Sequence, residues 1–269
     1  MPEGDTVWRS AHHLHEALAG RVLTSTEFRV PKFATVELAG ETVQEVVSRG
    51  KHLLVRTESH SVHSHLRMEG SWHLYRPETM RRGRIRRPAH TIRAILRTDE
   101  WIAVGFDLGI VEVLPLAAED TAVGHLGPDP LDPDFDRDLA LANLGNEPDV
   151  PVFVALLDQR KVAGFGNEYA NELCYLARLD PRTPAGDAPL GPILDRGVKL
   201  IRANRDRVER TFTGTTRPGQ MTWVFGREHR PCRRCGTTIR EISLGRTPTQ
   251  ERRVYWCPTC QPAFGGRDR

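Results

Sequence analysis

Cys232 and Cys235 form one C-x-x-C pair and Cys257 and Cys260 another, with twenty-one residues between the pairs. They fall in a segment, 223–269, that has too little apolar content for a core of its own. Such a stretch folds only if something besides burial holds it together. Two thiolate pairs suit a tetrahedral ion, each pair straddling one knuckle turn. "PCRRCG" and "WCPTCQ" supply the glycine, proline and basic residues that knuckles use. The competing arrangement, a pair of disulfides, is disfavoured in a cytoplasmic chain. One Zn2+ is expected, and it is structural because all four ligands are cysteines. Cys174, in the helical stretch "ANELCYLARL", reads as a buried small hydrophobe.

The remaining chain divides by texture. Val7, Ala11, Leu14 and Leu18 fall at helical spacing before Gly20, which predicts a first helix over Thr6–Ala19. From Arg21 to Pro115 come eight short β-type runs, "RVLTSTEFRV", "TVQEVV", "HLLVRT", "HSVHSHLRM", "SWHLYR", "TIRAILRT", "WIAVGF" and "IVEVLP". Split by Gly, Asp and Glu turns, they predict an antiparallel β-sandwich. The basic stretch "RPETMRRGRIRRP" between two of them is a solvated hairpin tip or a DNA-facing arm. Residues 118–134, acidic and rich in Pro and Gly, read as a linker. Helical periodicity then takes over at 135–143, 151–158, 167–178 and 190–210. The expected architecture is α+β and multidomain: 1–117 sandwich with a leading helix, 135–222 helical, and 223–269 a four-cysteine hairpin.

Charge narrows the partners. The net +3 of 269 residues is unevenly spread. Residues 117–149 hold nine acids and one arginine, a net of −8, whereas 196–260 hold fifteen Lys/Arg and five acids, a net of +10. The second is the footprint of a nucleic-acid binder or an ordinary solvated surface. No apolar run approaches membrane-spanning length, and the N-terminus lacks a signal-peptide core, so a cytoplasmic location and no membrane partner are expected.

Two stretches carry chemistry. The chain begins "MPEGDTVWRS". With Met1 removed, Pro2 carries a secondary amine whose pKa lies well below that of lysine, so it can act as a nucleophile near neutrality. Glu3 stands beside it. The second stretch is "LLDQRKVAGFGNEYANELCYLARL", residues 156–179. A helix ends near Asp158–Arg160, and Gly164 and Gly166 allow a tight double turn. Asn167 is placed to cap the next helix. Glycines, exposed N–H groups and a helix N-terminus together make a phosphate site. Read alone, the segment is better taken as a helical hairpin with an Asn cap.

That segment resembles the helix–two-turns–helix motif of the formamidopyrimidine-DNA glycosylase / endonuclease VIII family, and the resemblance covers the whole chain. Pro2-Glu3 matches the family's start. "RGKHLLV" supplies its strand-leading lysine, Lys51. "SHLRMEGS" supplies a strand-terminal histidine, His65, and a wedge residue, Met68. The four-cysteine finger carries an arginine five residues before Cys257, which is Arg252, with Arg253 as the other possibility.

The resemblance implies a bifunctional DNA glycosylase/AP lyase of base-excision repair, a monomer acting on damaged DNA. Pro2 is then the nucleophile, Glu3 the proton donor and acceptor, and Lys51, His65, Asn167 and Arg252 the DNA contacts, with Lys51 and Arg252 also serving catalysis. "FDLGIVEVLP" at 106–115 lacks the Arg-x-Phe of the purine-lesion branch. "GDTVWR" and "VYWCPTCQ" look closer to endonuclease VIII, so oxidised pyrimidines are the expected lesions. The alternatives are a purine-lesion glycosylase and a non-catalytic DNA-binding relative. A zinc-ribbon RNA binder does not explain the first twenty residues.

Overall fold

The computed structural model describes residues 2–81 and 87–263. They form two compact units, Met1–His125 and Leu126–Arg269.

In the first unit α1 (Gly4–Leu18) turns Val7, Ala11, Leu14, Ala17 and Leu18 inward. All eight expected strands are present: β1 (Ser25–Phe28), β2 (Val43–Arg49), β3 (His52–Thr57), β4 (His60–His65), β5 (Ser71–Tyr75), β6 (Ile92–Arg97), β7 (Ile102–Phe106) and β8 (Ile110–Pro115). They make two four-stranded antiparallel sheets, ordered β1-β6-β7-β5 and β2-β3-β4-β8. Alternation sends Leu53, Val55, Val62, Val111 and Val113 of the second sheet into one core with Phe28, Ala94, Leu96 and Ala103 of the first. The same core takes in the apolar stripe of α1. Burial at Val7 therefore anchors the chain only five residues after Pro2, where most termini fray.

In the basic stretch, α2 (Pro77–Arg81) follows β5, and residues 82–86 lie outside the described residues. A short α3 (Asp120–Val123) follows β8. The acidic segment read as a linker is divided between the two units. Asp120–Val123 is helical, and Leu126, Asp129 and Leu131 are buried.

The second unit contains α4 (Arg137–Gly145), α5 (Val152–Leu157), α6 (Asn167–Leu176) and α7 (Leu190–Arg205), then a hairpin of β9 (Arg240–Leu244) and β10 (Arg252–Trp256). The hairpin borrows its core. Tyr175 of α6 clusters with Val224, Ile239, Tyr255, Cys232 and Cys257. Glu172, the residue before Leu173 on the same helix, is completely buried. Its carboxylate accepts the backbone N–H groups of Trp223, Val224 and Phe225 at 2.8, 2.9 and 2.9 Å. Three N–H donors satisfy a charge that burial would otherwise penalise heavily. Burial still pushes this carboxyl up, to about 7. Cys174 is buried, as its helical setting predicts.

Candidate nucleic-acid interface and active site

In the first unit, Pro2 is half-buried and Glu3 fully buried. Glu3 occupies the N-cap position of α1 in extended geometry (φ −122°, ψ −175°), and its carbonyl accepts the N–H of Val7 at 3.1 Å. Proline and carboxylate thus stand at the positive end of a fifteen-residue helix. Asp5, also buried, accepts the Thr6 N–H at 2.7 Å, a second acid at this terminus that the sequence reading passed over.

Lys51 lies in the two-residue turn Gly50-Lys51 that joins β2 to β3, where Arg49 pairs with His52. Gly50 takes φ +58°, a conformation a side chain would resist. In the next register His52 pairs with His65 at the end of β4, so the hairpin tip brings Lys51 to His65. The outer face of this sheet is polar. His63 donates from Nδ1 to the Glu112 carboxylate at 2.9 Å, and its Nε2 accepts from His52 Nδ1 at 2.7 Å. His63 and Glu112 are direct cross-strand partners. His65 Nδ1 accepts the Arg67 N–H at 2.9 Å, so neutral His65 carries its hydrogen on Nε2 and offers a donor there. Burial, reinforced by the imidazoles of His63, His65 and His125 and by Lys51, pushes His52 down to about 3. Burial, then the positive charge of Lys51, holds His65 down to about 4.

Met68 follows β4 in a turn and is 61% exposed. The residue before it, Arg67, has φ +52° and lays its aliphatic stem over Gly109, where a Cβ would collide with it. Arg67 lies outside 106–115, and no motif in the sequence singles it out. Its place directly before Met68 was the available signal.

In the second unit, the double turn is braced by Gln159. Its Nε2 donates to the carbonyls of Leu157 and Phe165 (2.8 and 2.7 Å), and its Oε1 accepts the Gly164 N–H at 3.0 Å. Gly164 has φ +97°. Phe165 packs on α7 at Gly197, where a Cβ would fall 2.5 Å from the ring. One expectation is corrected here. Gly166, at φ −132° and ψ −159°, is extended. It also holds the N-cap, with no side-chain bond, so Asn167 opens α6 rather than capping it. Asn167, half-buried, stands at that helix end.

Arg252 and Arg253 begin β10, both exposed. Arg253 is engaged across the hairpin by Glu241 at 3.6 Å. Arg252 donates to the Glu251 carbonyl of its own backbone at 2.8 Å. The Sγ atoms of Cys232, Cys235, Cys257 and Cys260 all lie within 4.8 Å of one another. Cys235–Cys257 are 3.4 Å apart and Cys232–Cys260 3.9 Å, too far for disulfides. Four thiolates on one tetrahedral ion at about 2.3 Å stand about 3.8 Å apart, so the cluster fits a metal. N–H groups of Arg234 and Cys260 point to Cys232 and Cys257 sulfurs at 3.4 Å, as knuckle turns provide.

The formamidopyrimidine-DNA glycosylase N-terminal domain model matches residues 1–106, and the H2TH domain model of the same glycosylase matches 126–189. "Probable endonuclease 8 2" of Streptomyces coelicolor is 51% identical over 99% of this chain and 98% of that protein. The chain belongs to the formamidopyrimidine-DNA glycosylase / endonuclease VIII family. "DNA-(apurinic or apyrimidinic site) lyase Nei2" of Mycolicibacterium smegmatis is 47% identical over 98% of this chain and all of that one. Lactococcus lactis Fpg, solved with abasic-site DNA, shares the fold at a TM-score of 0.77 with 22% identity, over 97% of this chain and 100% of that one. Similarity at 47–51% identity to proteins named endonuclease 8 and Nei2 places it near the endonuclease VIII branch. Among the described residues no helix is long and apolar enough to cross a membrane.

The histidine face makes a pH prediction. Unfolded imidazoles protonate near 6.5, whereas folded His65 and His52 wait until about 4 and about 3. Between those values the unfolded chain binds more protons, so the first unit loses stability as pH falls from about 7 towards 4. NMR of the ring protons should show both side chains neutral at pH 5.5. A midpoint near 6.5 for either contradicts the buried, neutral assignment.

Proposed function

We propose that this chain is a bifunctional DNA glycosylase/AP lyase that removes oxidised bases, pyrimidines foremost, through covalent catalysis by Pro2. The observation that carries this reading is the terminus: a proline and a fully buried glutamate set at the N-terminus of α1. A damaged nucleotide is extruded because its sugar cannot be reached in the stack. The Pro2 nitrogen attacks C1′ and gives up its proton as the base leaves with its electron pair; the C1′–O4′ bond then breaks, its electrons go to O4′, and a ring-opened cationic iminium forms. Glu3 delivers a proton to the sugar ring oxygen and accepts one during elimination. β- and then δ-elimination release the strand with phosphates on both sides of the gap.

Each unit supplies phosphate contacts. Lys51 and His65 come from the first, His65 as a neutral Nε2–H donor. Asn167 and Arg252 come from the second, and Arg252 is favoured over Arg253 because Glu241 already engages the latter. These contacts favour the bent, extruded state. The four cysteines hold one structural Zn2+, which supplies cross-linking rather than chemistry. Chelation should unfold the hairpin and abolish DNA binding while the β-sandwich melts unchanged. Metal analysis should return about one zinc per chain, and a zinc-free protein with full activity would refute the structural role.

Borohydride trapping on abasic-site DNA tests the mechanism directly. The mature chain should form a covalent adduct. Retained Met1 or an N-terminal tag should abolish it while binding survives. A tagged protein that still traps would remove Pro2 from its role, and a mature protein that binds without trapping would establish the non-catalytic reading.

Lesion choice follows from extrusion cost. Ring-saturated pyrimidines such as thymine glycol stack poorly and leave the helix cheaply, whereas 8-oxoguanine opposite cytosine keeps its stacking and pairing. Met68 wedges the gap, and the 106–111 segment adds no arginine to hold an orphaned cytosine. Single-turnover rates on matched duplexes should favour thymine glycol, with the gap narrowing in bubble DNA. Equal rates would restore the purine-lesion branch and assign the cytosine contact to Arg67.

A further inference from the structure

Asn171 lies one turn into α6 and is completely buried. Its amide divides between two elements. Nδ2–H donates to the carbonyl of Asn167 at 2.8 Å and to that residue's Oδ1 at 3.3 Å. It also donates to the carbonyl of Arg253 at 3.3 Å, while Oδ1 accepts the N–H of Tyr255 at 2.6 Å. Arg253 O and Tyr255 N lie two residues apart on one edge of β10 and face the same way. The side-chain amide therefore meets that edge as a strand's peptide group would, one acceptor and one donor in register.

We propose that Asn171 is a positioning residue that locks Asn167 and Arg252 into one geometry, so that the two grip the same damaged strand as a unit. The inference rests on the DNA-binding reading given above. Attachment of hairpin to helix does not require Asn171. Glu172 takes three N–H groups of 223–225, and Tyr175 shares the hairpin's apolar cluster. Neither of those fixes where β10 sits along its own axis. The Asn171 amide does: sliding β10 by one residue presents it with groups that face the opposite way. Through the same nitrogen Asn171 also restrains the Asn167 side chain. One planar group therefore sets the helix-end amide and the strand that begins with Arg252.

The test is a double-mutant cycle on binding, using the full zinc-loaded chain and a duplex carrying a tetrahydrofuran abasic analogue, which cannot react. Asn171→Ala should weaken binding about 10- to 100-fold, the range for loss of one or two buried hydrogen bonds. Arg252→Ala should weaken it as well. If Asn171 acts through these two contacts, adding Asn171→Ala to a variant that already carries Asn167→Ala and Arg252→Ala should cost less than about 3-fold more. A purely structural residue would give losses that multiply, and that outcome overturns the proposal. Zinc content and near-ultraviolet circular dichroism check folding. Asn171→Asp, which can still accept from Tyr255 but loses the amide donors, replaces the alanine variant should that one lose its zinc, and the same non-additivity is required of it. Wild-type protein that fails to bind the duplex would sink the DNA-binding reading and this inference together. Wild-type binding with multiplicative losses sinks the inference alone.

Discussion

The hairpin at the C-terminal end cannot hold itself by burial, and the second unit is arranged around that deficit. A two-stranded ribbon is marginal in water. Here the four cysteine sulfurs gather at one end, and two consecutive buried polar residues of α6 hold the flanks. Glu172 takes the entering backbone at 223–225, and Asn171 takes the edge of β10. Buried polar groups destabilise unless every partner is present. Once present, their geometry is narrow, which suits residues that set where a strand sits rather than merely retain it. Hydrophobic packing around Tyr175 could hold the same segment without specifying its register.

The first unit solves a different problem with the same economy of elements. One sheet face packs against its partner sheet and α1, and this burial holds the Pro2-Glu3 terminus in place. The opposite face of the β2-β3-β4-β8 sheet is polar yet substantially buried. It is satisfied by linked pairs: Glu112 to His63 to His52, and Arg56 to Glu119 and Glu45. Because His52 and His65 stay neutral, neither adds positive charge beside Lys51. The lysine keeps the local charge, and His65 contributes direction through one N–H.

Much of this was legible in the chain alone. Eight short runs predicted eight strands because period-two alternation and turn residues are local properties. The C-x-x-C pairs announced the metal-type cluster through spacing, and Pro2-Glu3, Lys51 and "VAGFGN" were identifiable as motifs. Other features were not legible. Asn167 reads as a cap because asparagine favours that position, yet the extended glycine before it takes the place. Arg67 was hidden because its relation to Gly109 spans two loops.

Sequence by itself determined the elements, the cysteine cluster and the family, since these depend on residue type at short spacing. Tertiary structure decided which polar residues share a partner. His63 with Glu112, Asn171 with Tyr255, and Glu172 with the 223–225 backbone are separated by 49, 84 and about 50 residues. Nothing in the local pattern of a histidine, asparagine or glutamate names a partner that far away. Only packing two elements together removes water from such groups, and desolvation is what makes each of them require that partner.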